Sequence, residues 1–199
     1  IATAELLSNI FLECVVAPSF DKEALKILNI RKNLRLLELN KENIKIDNKT
    51  TFKSILGGIL EQDNDNEIDQ ENEWSYVTQT KPTTEEFNDL RFAWKICKHV
   101  KSNAIVIAKN LTTIGIGAGQ MNRVGAAKIA LEASKGKANS AVLASDGFFP
   151  FSDSVEIANK YGIRSIIQPG GSVRDKDSID MCNKLGISMI FTHRRHFLH

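Results

Sequence analysis

From residue 104 onward, short apolar runs alternate with segments of helical periodicity, and this alternation restricts the fold more than any other feature. We predict strands at 104–108, 113–116, 141–144, 165–167 and 188–191, and helices at 121–134, 154–161 and 174–185. Such alternation is typical of a three-layer α/β architecture, with a mixed, mostly parallel sheet and helices on both faces. Ligands bind these sheets where strand ends meet helix starts, so the turns are the expected binding positions.

The first 45 residues show the same order of elements. We predict a helix at 3–12, strands at 14–17 and 34–39, and a helix after Asp21. A Pro-x-x-Asp turn ends at Asp21, and a second one ends at Asp153. Each Asp is expected to cap the next helix, with Glu156 in capping-box position behind Asp153. The repeated turn fits a weak internal duplication and a chance match equally well.

The middle of the chain is acidic and carries a second helix-start signal. Seven carboxylates between residues 61 and 73 predict an exposed insertion. An EF-hand beginning at Asp63 is excluded because Ile68 and Trp74 stand where glycine and glutamate are required. A capping box of Thr83 and Glu86 then predicts a helix with one apolar face.

Composition excludes several classes of function. The net charge of +2 is too small to argue for nucleic acid or a membrane surface as a partner. Three widely spaced cysteines without a C-x-x-C predict buried, unpaired thiols in a reducing compartment, hence a cytoplasmic protein. No apolar run reaches the ~18 residues that span a bilayer. The chain begins with Ile1 and shows no signal-peptide pattern, and we expect it to be part of something longer.

An aromatic turn, Ala144 to Asp153, is the first candidate binding element. Phe148, Phe149 and Phe151 stand where a strand-to-helix turn usually carries polar residues and glycine. Such rings either fill a hole in the core or form a pocket wall. The flanking carboxylates of Asp146 and Asp153 favour the pocket.

Four further turns are candidates, each with a purely structural alternative. The G-x-G-x-G run before Arg123 predicts an anion-binding helix start or a plain tight turn. Ser172 and Asp175, after two glycines, fit a variant capping box or close backbone approach to a ligand. Asn103 predicts either an amide that hydrogen-bonds to a ligand or an asparagine that only forms the turn. The histidine-rich terminus after residue 191 is expected to fold back onto the core, its histidines lying at the surface or capping rather than acting in catalysis.

Taken in order, these motifs resemble the family of bifunctional purine-biosynthesis enzymes that joins an IMP cyclohydrolase to an AICAR (aminoimidazole carboxamide ribotide) formyltransferase. The motifs that match are K-S-N-A-I, G-x-G-A-G-Q-M-N-R, A-S-D-G-F-F-P-F-S-D, I-Q-P-G-G-S-V-R-D and the terminal R-H-F-L-H. The resemblance covers nearly the whole chain and is strongest after residue 90. It implies the C-terminal part of the formyltransferase, with a cytidine-deaminase-like fold present twice. The expected segments are the end of a first subdomain at 1–45, an acidic insertion or linker at 46–83 and a second subdomain at 84–199.

The resemblance also implies a reaction and its ligands. A formyl group would pass from 10-formyltetrahydrofolate to the exocyclic amine of AICAR. The zinc motifs H-x-E and P-C-x-x-C are missing from the sequence, so formyl transfer without zinc is implied, and the family suggests a structural potassium. Matched by motif position, the implied AICAR contacts are Asn103, Arg123, Phe148, Arg195 and, less securely, Glu13. The implied folate contacts are Val124, Asp153, Ser172 and Val173, with Pro150 and Phe151 shaping the wall between the ligands.

One departure limits the expected activity. The catalytic Lys-His pair of the family lies in an upstream motif, whereas Lys98-His99 here lies within a predicted helix, so no catalytic role is assigned to His99. We therefore expect binding residues without the general base, in a protein that forms homodimers with shared active sites. The alternatives are a non-catalytic nucleotide-binding domain and a dimerisation module.

Overall fold

A computed structural model describes residues 1–40, 50–66 and 70–198. The chain divides into two compact units, Ile1–Asn64 and Asp65–His199. Within the range 46–83, predicted as an acidic insertion or linker, the described residues form elements of both units. Residues 41–49 and 67–69, which include parts of the predicted acidic insertion, lie outside the described residues.

The first unit begins with a small β-α-β arrangement. Its elements are α1 (Ala2–Ser8), β1 (Cys14–Ala17), α2 (Lys22–Leu28) and β2 (Arg35–Glu38). Strands β1 and β2 pair in parallel, as a crossover through α2 requires. The helices bury Ala4, Ala24 and Leu28 in a small core. Here Cys14 is exposed, contrary to the prediction of buried thiols, whereas Cys97 and Cys182 of the second unit are buried.

A β-hairpin, which the sequence patterns did not predict, completes the first unit. Strands β3 (Thr50–Ile55) and β4 (Gly58–Asp63) pair antiparallel across a two-residue turn. Gly57 takes φ +82° in this turn, a conformation that glycine adopts without steric cost. Glu61 and Asp63, which belong to the predicted exposed acidic insertion, are exposed and lie on a strand.

The second unit is built on a six-stranded sheet. After a 3₁₀ helix (Glu71–Glu73), its elements are β5 (Ser75–Tyr76), α3 (Thr84–Cys97), β6 (Ile105–Lys109), β7 (Thr112–Gly117), α4 (Arg123–Ala133), β8 (Val142–Ser145), α5 (Asp153–Lys160), β9 (Ser165–Gln168), α6 (Asp175–Leu185) and β10 (Ser188–Phe191). The strand order is β5-β10-β9-β8-β6-β7. The five longer strands and the helices α4 to α6 confirm the alternation predicted from the sequence, with boundaries within two residues.

The sheet is mixed, as predicted, but its parallel part is smaller than expected. Strands β8, β9 and β10 run parallel, whereas β6 pairs antiparallel with both β7 and β8, and β5 pairs antiparallel with β10. The antiparallel part follows from the short connection between β6 and β7, which leaves no room for a crossover helix.

Helices cover both faces of this sheet and confirm the three-layer architecture. Alternate residues of each strand point to opposite faces, so Val106 packs towards α3 while Ile107 packs towards α4. The core on the α3 side is centred on Trp94, which is fully buried. The core on the other side includes Leu131 of α4 and Cys182 of α6, together with Phe149.

Of the predicted helix caps, the capping box of α3 forms, whereas the two predicted Asp caps do not. Thr83 and Glu86 form the predicted capping box at the start of α3, each side chain accepting a hydrogen bond from the other's backbone N–H. Asp21 occupies the N-cap position of α2, but its side chain makes no capping bond. Asp153 is not a cap at all, because the chain enters helical geometry at Ser152 and Asp153 is the first residue of α5. Its carboxylate instead accepts a hydrogen bond from the Ser154 N–H at 2.8 Å.

Candidate functional site

Five turns meet along the edge of the sheet where the parallel strands end. Backbone hydrogen bonds join them pairwise: Asn103 N–H donates to Gln120, Ser102 N–H donates to Leu198, and His196 N–H donates to Asp146. Thr192 N–H donates to the Gln168 carbonyl and joins the last two turns. The candidate turns recognised in the sequence therefore lie together at the carboxyl edge, where α/β sheets bind ligands.

Arg123 is buried at this edge and holds the aromatic turn in place. Its Nη1 atom donates to the carboxylate of Asp146 and to the Ser145 hydroxyl, at 3.2 Å for the latter. Its Nε atom donates to the Phe148 carbonyl at 3.0 Å. Since most of its guanidinium is occupied by the protein, Arg123 positions Phe148 in addition to any contact that it makes with a ligand.

Asp146 is a functional candidate that the sequence analysis mentioned only as a flanking carboxylate. It is fully buried, and Arg123 neutralises its charge. Its Oδ2 atom has no hydrogen-bond partner within the described part of the chain. Asp146 also affects a neighbour on α3: burial raises the pKa of the Cys97 thiol well above its ordinary value, and the Asp146 carboxylate raises it further, against the opposing charge of Arg123. Cys97 is therefore an unreactive thiol.

The side chain of Arg195 lies over two aromatic rings at the same edge. Its guanidinium carbon is 4.8 Å from the ring centre of Phe148 and 5.8 Å from that of Phe197. Stacking on aromatic faces orients a guanidinium while leaving its N–H groups available for an acceptor. Arg195 remains exposed. Asn103 is partly buried, and its Nδ2 donates to the Gln120 carbonyl at 2.8 Å.

The glycine-rich run before α4 serves packing more than anion binding. Gly115 and Gly117 lie within β7 and not in the turn. A β-carbon on Gly117 would lie 2.0 Å from the Ala126 carbonyl oxygen, and one on Gly115 would lie 1.9 Å from that of Ala130. These two glycines therefore let α4 approach the sheet closely. Only Gly119, at φ +66°, has the turn conformation that the sequence suggested.

A second group of candidates surrounds the start of α5. The guanidinium of Arg174 lies 4.9 Å from the ring centre of Phe151, so the aromatic turn contacts the turn that precedes α6. This contact brings Pro150 and Phe151 towards Ser172 and Val173, and Val173 is fully exposed. Asp153 is half-buried at the first turn of α5.

The predicted capping box of Ser172 and Asp175 takes a different form. Helix α6 begins at Asp175, so Ser172 lies outside it and accepts a hydrogen bond from the Arg174 N–H at 3.1 Å. Asp175 accepts one from the Gly171 N–H at 2.7 Å. Both bonds fix the loop instead of the helix end. Gly170, at φ +70°, leaves room for Phe191, whose ring a β-carbon would meet at 2.5 Å.

Glu13 is the one predicted site residue in the first unit. It is exposed and lines an open cavity of about 710 Å³ together with Arg31, Lys32 and Arg35. Val124, also predicted, follows Arg123 on α4 and is partly buried. The other predicted site residues lie at the carboxyl edge of the second unit.

The C-terminal segment is fixed by a residue that sequence reasoning missed. One carboxylate oxygen of Asp65 accepts a hydrogen bond from Arg194 at 3.0 Å, and the other is bonded to His196 Nδ1. Lys98 Nζ lies 3.5 Å from the same carboxylate. The local sequence gave no signal for this cluster, because Asp65 is one of many acidic residues in its region.

The described residues contain neither a group of metal ligands nor a membrane-spanning helix. No three His, Cys, Asp or Glu side chains in residues 1–40, 50–66 and 70–198 are grouped so that they could hold a metal ion. Within those same ranges, each helix is too short or too polar to cross a bilayer.

Comparisons with known proteins agree with the resemblance seen in the sequence. The model of the AICARFT/IMPCHase bienzyme family matches residues 1–133. The bifunctional purine biosynthesis protein PurH of Prochlorococcus marinus strain MIT 9515 is 66% identical over 99% of this chain, and that of strain NATL1A is 60% identical over all of it. Acinetobacter baumannii RibD (form 1) aligns with 53% of this chain and 33% of its own at 16% identity, and its TM-score of 0.35 is too low to decide anything.

This chain spans 38% of the length of the PurH relatives, and the alignment leaves almost none of its own residues unmatched. The family match covers both units, because it begins in the first and ends on α4 of the second. The chain therefore belongs to the AICARFT/IMPCHase bienzyme family.

Proposed function

We propose that this chain is the C-terminal, substrate-binding portion of an AICAR formyltransferase of purine biosynthesis. The observation that carries this proposal is the position of Arg195 over Phe148, at the edge where five turns meet. An aromatic face beside an oriented guanidinium suits a planar heterocycle that bears a carbonyl group. The whole protein would also carry IMP cyclohydrolase activity, as its family does.

AICAR would bind across the part of the edge that Arg195, Phe148 and Asn103 form. Phe148 would pack against the imidazole ring, and Arg195 would donate to the carboxamide oxygen. Asn103 offers an amide oxygen and an amide nitrogen to the polar groups of the ligand. Arg123 would contribute mainly through its hold on the Phe148 carbonyl. Glu13, which the family resemblance implies as an AICAR contact, stays a separate prediction.

10-Formyltetrahydrofolate would bind on the other side of the aromatic turn. Asp153 would accept hydrogen bonds from the pterin ring, and the partly buried Ser172 and the exposed Val173 would line the folate subsite. Pro150 and Phe151 would separate the two ligands. The Arg174–Phe151 contact supports this arrangement because it fixes the two turns against each other.

Formyl transfer requires that the weakly nucleophilic amine be oriented and deprotonated and that the tetrahedral oxyanion be stabilised. The residues above supply orientation and, through Arg195, positive charge. The general base of the family belongs to a Lys-His motif that this sequence does not contain. We therefore expect this chain to bind both substrates without catalysing the transfer by itself. A homodimer with shared active sites, a structural potassium and a cytoplasmic location are further parts of the proposal.

Calorimetric titration of the chain with AICAR, 10-formyltetrahydrofolate and an unrelated purine nucleotide tests the proposal. We expect the two substrates to bind and the unrelated nucleotide to bind at least about tenfold more weakly. Binding of the unrelated nucleotide alone would instead support a non-catalytic nucleotide-binding domain. Formyl transfer by this chain at the rate of a complete enzyme would contradict the assignment of the general base to another segment.

A further inference from the structure

We propose that Asp65 is a positioning residue that orients Arg195 towards the substrate. Asp65 is not among the residues proposed to touch AICAR. It acts through the two neighbours of Arg195 in the chain, Arg194 and His196, both of which it binds. The inference rests on the proposed function, since it concerns the residue that would contact the carboxamide.

The geometry of the C-terminal segment carries the first step. Arg194 and His196 both reach the Asp65 carboxylate, one at each oxygen. Arg195, which stands between them in the chain, lies instead over the rings of Phe148 and Phe197. Fixing both neighbours of Arg195 therefore restricts the backbone from which its side chain starts.

The second step is the rigidity of the anchor. The His196 side chain is fully buried, and its ring centre lies 4.3 Å from that of Trp94 on α3. Its backbone N–H donates to the Asp146 carbonyl at 3.0 Å. Because a carboxylate only accepts hydrogen bonds, the Nδ1 atom that faces Asp65 carries a proton. The segment is thus held from both the side chain and the main chain.

The third step is electrostatic. Arg194, Arg195, Lys98 and His196 gather several donors and positive charges at one end of the sheet, and the Asp65 carboxylate faces three of them. Arg195 keeps its positive charge for a ligand oxygen because Asp65 binds its neighbours and not Arg195 itself.

The chain offers a matched control for Asp65. Glu71, six residues further on, also forms an ion pair with α3, through Arg91. This pair does not involve the C-terminal segment. Asp65→Asn and Glu71→Gln each remove one carboxylate charge from the same region and change few atoms. A difference between the two variants therefore reports the specific role of Asp65.

The first measurement needs no substrate. Ring currents of Phe148 and Phe197 should displace the NMR signal of the Arg195 Nε–H group from its random-coil position. We expect Asp65→Asn to return this signal towards random coil while Glu71→Gln leaves it unchanged. An Arg195 signal that is the same in the wild type and in Asp65→Asn would overturn the inference.

The second measurement is a double-mutant cycle with AICAR as the calorimetric probe. We expect Asp65→Asn to weaken AICAR binding about tenfold in the wild-type background and less than about twofold when Arg195→Ala is already present. Equal weakening in both backgrounds would mean that Asp65 acts on the fold and not through Arg195, and would overturn the inference. If the wild type bound no AICAR, the proposed function would fail, whereas the NMR measurement would still decide the role of Asp65.

Discussion

The carboxylate of Asp146 and the guanidinium of Arg123 form a buried ion pair next to the turn that carries Phe148. Asp146 is fully buried and the Arg123 side chain is 8% exposed. The pair links the start of α4 to the end of β8, and its Nε donor fixes the Phe148 carbonyl. The position of Phe148 at this edge consequently depends on a buried charge pair.

Removal of the Arg123 side chain is expected to destabilise the protein strongly. Arg123→Ala leaves the Asp146 carboxylate buried without its counter-charge, and breaking a buried pair in this way costs about 3–5 kcal/mol. Urea denaturation gives the free energy of unfolding. Arg91→Ala, which breaks the partly exposed pair with Glu71, is the control and should cost less than about 1 kcal/mol. A loss for Arg123→Ala as small as that of the control would show that the pair does not hold this edge together.

Substitution of Gly117 should separate α4 from the sheet. In Gly117→Ala the new β-carbon would meet the backbone of Ala126, which has no side-chain freedom with which to yield. We expect a loss of about 1–3 kcal/mol or more in the free energy of unfolding, measured by thermal or urea denaturation. Gly58→Ala is the control, because a β-carbon there meets nothing within 4 Å and its φ is not positive. Equal stability of the two variants would contradict the packing role of Gly117.

The contribution of Asp65 to stability should depend on pH. Burial raises the pKa of Asp65, but the His196 hydrogen bond and the charges of His196, Lys98 and Arg194 outweigh burial and leave it below the ordinary value of 3.8. A lowered folded-state pKa means that the stabilisation is present above 3.8 and disappears as the pH falls through the folded-state pKa.

The matching measurement compares the wild type with Asp65→Asn by urea denaturation from about pH 7 to about pH 3. The difference in the free energy of unfolding between the wild type and Asp65→Asn should stay constant near neutrality and shrink at the acid end. A difference that grows as the pH falls below 4 would show that the ion pairs of Asp65 do not lower its pKa.

The two sides of the aromatic turn should respond separately to substitution. Asp153→Ala is expected to weaken binding of 10-formyltetrahydrofolate about tenfold or more, since the proposed hydrogen bond to the pterin would be lost, and to leave AICAR binding within about twofold. Phe148→Ala should have the opposite pattern. Both are measured by calorimetry. Weakening of both ligands to the same extent by either variant would argue against two separate subsites.

The main elements of the second unit were predictable from the sequence because its strands are fully buried and its helices are amphipathic. Ile105 to Ala108 is a continuous apolar run, and the Thr83–Glu86 capping box marks the start of α3. The hairpin of β3 and β4 was missed because it carries exposed apolar residues such as Phe52 and Leu56 without the alternation that marks a half-buried strand.

The sequence predicts which turns form the candidate site, but it does not predict which residues contact one another there. The turns that carry Asn103, Phe148 and Arg195 were recognised as candidates, and they do lie together. The roles of Gly117 and Asp65 were not, because each depends on a distant part of the chain. A glycine in a G-x-G run has the same local sequence whether it faces a phosphate or a helix backbone. Asp65 reaches His196 across 131 positions, a pairing that local sequence does not encode.

The most direct test of the account is calorimetric titration of AICAR into the wild-type chain and into Arg195→Ala, with Arg164→Ala, an exposed arginine between α5 and β9, as the control. The account predicts that AICAR binds the wild type and the control alike and that Arg195→Ala weakens it at least about tenfold. Equal AICAR affinity for the wild type and Arg195→Ala would contradict the central claim that the guanidinium over Phe148 is the substrate-binding group.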